Sequence, residues 1–150
     1  MDSITVQRGD FWLTTDKTKM DLQAIHQFLS KEAYWSKNIP FETVKNAAEN
    51  SLNFGVFYKE QQVGYARIIS DYATIAYLGD VYVLPAFRGN GLSKWLMEEV
   101  MQHPSLQGLR RWILLTGDAH GLYRQFGWKD IAAPDRWMEF HNKNVYTKEI

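Results

Sequence analysis

Arg88, Gly89, Asn90 and Gly91 put a cation and two closely spaced glycines directly after Val81-Tyr82-Val83-Leu84-Pro85, a β-branched and aromatic run that a proline stops. Behind them Leu92, Trp95, Leu96 and Val100 recur at helical spacing. The pattern predicts a strand, a tight turn and the first turn of a helix. Backbone N–H groups at a helix start lack partners and carry the positive end of the dipole, so a phosphate or pyrophosphate fits against them. Arg88 can add a charge-assisted contact, and a side chain at Gly89 or Gly91 would obstruct the approach. Asn90 suits the turn geometry. The same residues also fit an ordinary β–α turn that uses glycine for its dihedrals.

Tyr123 and Asp80 are the next groups able to do chemistry. Tyr123 lies in Asp118–Phe126, a predicted short helix that Asp118 can cap and Gly127 can end. A phenol at the end of an inner strand could protonate a leaving group, or could equally be a half-buried core tyrosine. Strand alternation sets Leu78, Asp80 and Tyr82 on one face and Gly79, Val81 and Val83 on the other. Asp80 then either faces a substrate or pairs with Arg67. Asp71 and Glu32 are weaker candidates for the substrate side. His120 fits capping, packing or solvent exposure better than a role as base.

The elements that must position these groups follow from pattern and punctuation. Phe11–Thr15 reads as the first strand. Helices are expected over Asp21–Ser30 and Phe41–Asn50, the second opened by Pro40. Asn53–Tyr58 and Gln62–Ile69 form a hairpin candidate across Lys59-Glu60-Gln61, and Thr74–Leu84 continues the sheet. The helix after Gly91 ends at His103-Pro104. Arg111–Thr116 is a compact strand, and Arg136–His141 is expected to close the sheet. No repeat or linker interrupts the chain, so a single mixed α/β domain is the economical reading.

Composition narrows the function classes. The chain has 150 residues, 45% of them hydrophobic and 23% charged, as in globular proteins able to build one core. Its 17 basic and 17 acidic side chains cancel, which gives no global argument for nucleic acid or an anionic membrane as partner. With no cysteine, disulfides, thiolate nucleophiles and cysteine-held zinc are excluded. The four histidines lack metal-motif spacing, so no metal is expected. The start Met1-Asp2-Ser3-Ile4 has no basic-then-apolar leader and no segment is long enough to span a bilayer, which makes a cytoplasmic location the default. Aromatics reach 15%, an excess that suits core, pocket or a homodimer surface alike.

Taken in order, Val83-Leu84-Pro85-Ala86-Phe87-Arg88-Gly89-Asn90-Gly91 and Asp118-Ala119-His120-Gly121-Leu122-Tyr123-Arg124-Gln125-Phe126-Gly127-Trp128 resemble the two signature segments of the GCN5-related N-acetyltransferase (GNAT) superfamily. The resemblance runs along nearly the whole chain. One departure is Ser93, where family members often carry glycine or alanine. The resemblance implies a single-domain α/β fold, a mixed central sheet flanked by helices, with two central parallel strands splayed around the pantetheine arm of acetyl-CoA. Backbone groups of Val81, Tyr82 and Val83 would pair with that arm. Amides from Arg88, Gly89, Asn90, Gly91, Leu92 and Ser93 would hold the pyrophosphate, with Asp118, Tyr123 and Arg124 on the cofactor's other side. It further implies direct attack by a primary amine on the thioester, with an amide near Val83 or Leu84 stabilising the developing oxyanion and Tyr123 protonating the thiolate. Asp80 would take the amine's proton, directly or through water. Tyr34, Trp35, Tyr65, Arg67, Tyr77 and Asp80 form the candidate acceptor pocket. A small cationic amine suits aromatic rings beside carboxylates. A protein or peptide amine and a noncatalytic acyl-CoA sensor are the alternatives.

Overall fold

The computed structural model describes residues 1–147. Its centre is a six-stranded sheet in which chain order and spatial order coincide. Strands β1 (Thr5–Arg8) and β2 (Phe11–Thr14) form a hairpin around Gly9, whose φ is +62°. Helices α1 (Leu22–Lys31) and α2 (Phe41–Glu49) follow, then β3 (Leu52–Tyr58), β4 (Gln61–Ser70) and β5 (Ile75–Val83). Helix α3 (Leu92–Gln102) crosses over to β6 (Arg111–Leu114), and the short α4 (His120–Arg124) comes after it. All neighbouring strands are antiparallel except β5 and β6, which are parallel and therefore need the α3 crossover.

Helices cover both sheet faces. On one side Trp95, Leu96, Met97 and Val100 of α3 join Phe54, Val56, Ile68 and Leu78 of the strands in the main core. On the other, Ile25, Phe28 and Leu29 of α1 and Val44 of α2 pack with Tyr65 and Tyr82. Asp21 caps α1 by accepting from the Ala24 amide at 3.0 Å. Strands β3 and β4, buried along most of their lengths, read as continuous apolar runs because both their faces are covered.

Three expectations need correction. β1 precedes the strand expected to come first; it is polar and mostly exposed, so it lacks the alternation that marks a half-buried strand. The alternation drawn through Asp80 breaks, because Asp80 and Val81 together face Ala66 in a β-bulge between the Tyr65–Tyr82 and Arg67–Gly79 pairs. Leu78 and Tyr82 consequently enter cores on opposite sides of the sheet. Finally, Arg136–His141 does not close the sheet within the chain. These residues are exposed and unpaired, and β6 is the outer strand.

Candidate active site

Beyond β5 the backbone makes a single 3-10 turn at Pro85–Phe87 and enters the glycine turn. Gly89 and Gly91 have φ of +86° and +73°, a region L side chains avoid. A Cβ at either would meet nothing within 4 Å, so the chain itself requires glycine there for conformation and not for space. Asn90 braces the turn through its Nδ2–H to the Phe87 carbonyl at 2.9 Å. Gly91 is the α3 N-cap and offers no side-chain acceptor; the first helical bond runs from the Trp95 amide to the Gly91 carbonyl. The preceding amides have no partner within the helix.

A cleft of about 190 Å³ lies over this turn, lined by Val83, Arg88, Gly89, Gly91, Ser93 and Lys94 among others. Arg88 keeps part of its guanidinium at home, donating Nε–H to the Val83 carbonyl at 3.1 Å. Lys94 went unnoticed in the sequence because a lone cation in a helix looks like solvated surface. Its signal is its position: a helix's first turn favours acids, yet here it has none and carries a lysine at the cleft.

β5 and β6 pair only from Ile75–Arg111 to Leu78–Leu114, after which β5 runs on to Val83 with β4 as its one strand partner. The two parallel strands part at the β5 bulge. On the far side of the opening, α4 carries Tyr123. Its N-cap is Ala119 and not Asp118, and no side chain caps the helix; Thr116 Oγ1 instead braces the turn before it by accepting from the Ala119 amide at 3.0 Å. Tyr123 is buried in the same core as Val83 and Leu92. Burial, then the charges of Asp118 and Tyr34, pushes its phenol up to about 12. Arg124 pairs with Asp130 at 2.7 Å on the exposed side, away from the glycine turn.

The loop between α1 and α2 straps the opening. Tyr34 Oη accepts from the Gly117 amide at 3.0 Å, and a Cβ at Gly117 would stand 2.8 Å from that oxygen. The adjacent Trp35 donates its indole N–H to Asp80 Oδ1 at 3.0 Å. Asp80 Oδ2 accepts from Arg67 Nε at 2.8 Å, and Arg67 also reaches Ser51. Asp80 holds this position with φ +53°, strained for a non-glycine residue. Tyr77 lies beside it under Gly79, its phenol raised by burial and by the Asp80 charge.

The sequence candidates thus separate into groups. Tyr34, Trp35, Arg67, Tyr77 and Asp80 converge on one end of the parted strands, and Val81, Val83 and Arg88 through Ser93 border the other. Tyr65 and Tyr82 do not join them. Tyr65 is buried with its hydroxyl hydrogen-bonded to Asn53, and Tyr82 stacks on Phe28 at 3.9 Å. Asp71 braces the β4–β5 turn by accepting from the Ala73, Thr74 and Ile75 amides. No helix among the described residues is long and apolar enough to cross a membrane.

Three kinds of comparison bear on this arrangement. The model of the acetyltransferase (GNAT) family matches residues 22–128. A GNAT-family protein of Xanthomonas campestris pv. campestris superposes with a TM-score of 0.91 at 47% identity, covering 95% of this chain and all (100%) of that one. A Gibberella zeae protein with an inferred acetyltransferase assignment is 32% identical over 151 residues, 85% of this chain and 84% of its own length. A Mycobacterium tuberculosis protein solved in complex with CoA shares the fold alone, at 18% identity and a TM-score of 0.62 over 75% of this chain and 69% of that one.

Proposed function

The chain belongs to the GNAT acetyltransferase family, and from that premise we propose that it moves the acetyl group of acetyl-CoA to a primary amine of a small cationic molecule. The observation that carries this reading is the parting of β5 and β6, with unpartnered α3 amides on one side of the opening and Tyr123 on the other. The fit to acetyl-CoA rests on chemistry present in the chain. A left-handed glycine turn, a helix start free of acids, and two cations, Arg88 and Lys94, suit a pyrophosphate. Acetyl-CoA supplies the activated acyl group, and the chain supplies position and protons.

Amides of Gly89 through Lys94 hold the diphosphate. The β5 backbone from Val81 to Val83, which lacks a strand partner on the β6 side, is available to the pantetheine chain. Tyr123 acts as general acid for the thiolate. Its raised pKa keeps the proton on the phenol at neutral pH, so a donor is present where the thiolate departs. Asp80 anchors the acceptor's ammonium group and passes its proton to water. Trp35 and Arg67 already donate to its two oxygens, so anchoring suits the carboxylate better than proton abstraction. Trp35 and Tyr77 offer ring faces to the same cation. The strap of Tyr34 and Trp35 narrows the opening, which favours a compact acceptor over a protein segment.

The test is a panel of small amines incubated with acetyl-CoA, with acetylated products read by mass and free CoA read in parallel. Product from diamines or amino sugars, absent from peptides of matched charge, supports the reading. Acetylation of peptide lysines alone, or tight acetyl-CoA binding with no small-amine product, overturns the assigned substrate class.

A further inference from the structure

A strand-shaped vacancy runs along the outer edge of the sheet. β6 has β5 as its single strand partner among the described residues. Beyond it a groove of about 320 Å³ separates Trp112–Thr116 from Trp128–Ile131. Its surface is apolar at Trp112, Leu114, Trp128 and Ile131, and Leu115 beside them is 80% exposed. Trp128 also has a buried indole N–H with no acceptor, an unsatisfied donor in one of the two walls. An open edge with an apolar flank is a template for another strand.

The same chain carries a segment of strand-like sequence and holds it in solvent. Arg136-Trp137-Met138-Glu139-Phe140-His141 has the alternation of a sheet strand, with Met138 and Phe140 on one side. Every residue from Pro134 to Val145 is nonetheless exposed; Met138 is 96% and Phe140 102% accessible, as in an unfolded chain. The arm is attached at its ends. Trp137 lies under the Arg111 guanidinium at 5.3 Å, and Tyr146 packs against the core on the α1 side of the sheet. Arg111 starts β6 but does not line the groove, so the arm passes its own groove without entering it.

We infer that the occupant of the groove is the arm of a second copy: Arg136–His141 of each protomer adds to β6 of the other, filling both vacancies in one symmetric exchange. The two features complement each other in length, apolar character and missing backbone partners, and an identical pair satisfies both at once. Lys129 at the groove and Glu139 on the arm are opposite in charge. The exchange also reaches the catalytic end, because Tyr123 and His120 line the groove. Each site would then be walled on that side by its partner's arm.

The inference is independent of which amine is acetylated, and its test reads mass and amide exchange instead of turnover. The full chain is compared with Phe140→Glu on the arm and Leu115→Arg at the groove, both surface positions in a single protomer, so each variant should keep the native circular dichroism spectrum. Sedimentation equilibrium should give twice the chain mass for the parent. Either variant should weaken self-association about 100-fold or more, since each puts a charge where apolar surface is buried. Amides of Met138–His141 should be protected in the parent and exchange freely in both variants. A parent that stays at single-chain mass overturns the inference, including the case where a protected arm has folded into its own groove. A dimer that survives both substitutions overturns it too, because another surface then holds the copies together.

Discussion

Replacing Gly89 by aspartate and, separately, by asparagine isolates the charge that the glycine turn is built to receive. Both residues tolerate left-handed φ better than other L residues, and the added Cβ meets nothing within 4 Å at a φ of +86°. Each should therefore lose about 1–2 kcal/mol of stability from the backbone alone, and nearly the same amount. They differ by one negative charge. Beside a bound pyrophosphate, two like charges at about 4 Å repel by about 1 kcal/mol in a water-like medium and about 4 kcal/mol at an effective dielectric of about 20. At about 1.4 kcal/mol per decade of affinity, Gly89→Asp should bind acetyl-CoA between about 5-fold and about 700-fold more weakly than Gly89→Asn. Titration calorimetry at low and high salt reads the difference, and added salt should shrink it. If the two variants bind alike at low salt while both remain folded, the diphosphate does not lie at this turn.

Other outcomes follow from the site and its supports. Tyr123→Phe should lower kcat about 100-fold or more and leave acetyl-CoA affinity nearly unchanged; equal turnover would remove the acid role. Because burial pushes the phenol up to about 12, the alkaline limb of kcat should lie above the usual phenol range, and a limb near 10 that vanishes in Tyr123→Phe would contradict that environment. Asp80→Asn keeps the tolerated φ and should raise KM for the amine at least about tenfold without changing acetyl-CoA binding, whereas Asp80→Ala should also lose about 1–2 kcal/mol to left-handed strain; steady-state kinetics and thermal melts separate the two. His103 is buried, its Nε2 unpartnered and its pKa lowered by desolvation. The unfolded chain binds the proton more readily, so the stability due to neutral His103 is whole above about pH 6.5 and declines as pH falls below it toward the lower folded pKa. Melts of the parent should show that acid-side loss and His103→Leu should show less of it; parallel slopes would exclude His103 as the source.

Local rules carried far in this sequence where the chain obeys them one residue at a time. Pro40, Asp21 and the Gly91 turn announce helix starts, and His103-Pro104 announces a stop. The glycine turn was legible because its φ requirement is local. β1 was not, since its residues are polar and only pairing with β2 makes it a strand. Tyr65 illustrates a different limit. A tyrosine on a central strand fits a pocket wall as well as a core, and the bond from its hydroxyl to Asn53, a contact between two strands, decides for the core. Arg136–His141 was expected to be a strand from its alternation, but alternation names no partner, and the structure pairs these residues with none of the six strands.

The bulge at Asp80 is the least legible feature and the one on which the site depends. One extra residue in β5 between the Tyr65–Tyr82 and Arg67–Gly79 pairs reverses which face each later side chain meets. It sends Tyr82 to the α1 side while Val83 stays with α3, and β5 leaves β6 where the irregularity begins, just past Leu78. A plain alternating strand would have kept its neighbour and left no opening for a cofactor. The left-handed conformation that makes the bulge is unfavourable at aspartate, and the same carboxylate offsets that cost through Arg67 and Trp35. The Trp35 bond in turn ties down the strap carrying Tyr34, whose hydroxyl accepts from Gly117 ahead of α4. Bulge, ion pair and strap therefore form one device, in which the residue proposed to anchor the acceptor also sits in the bulge where the parallel strands part.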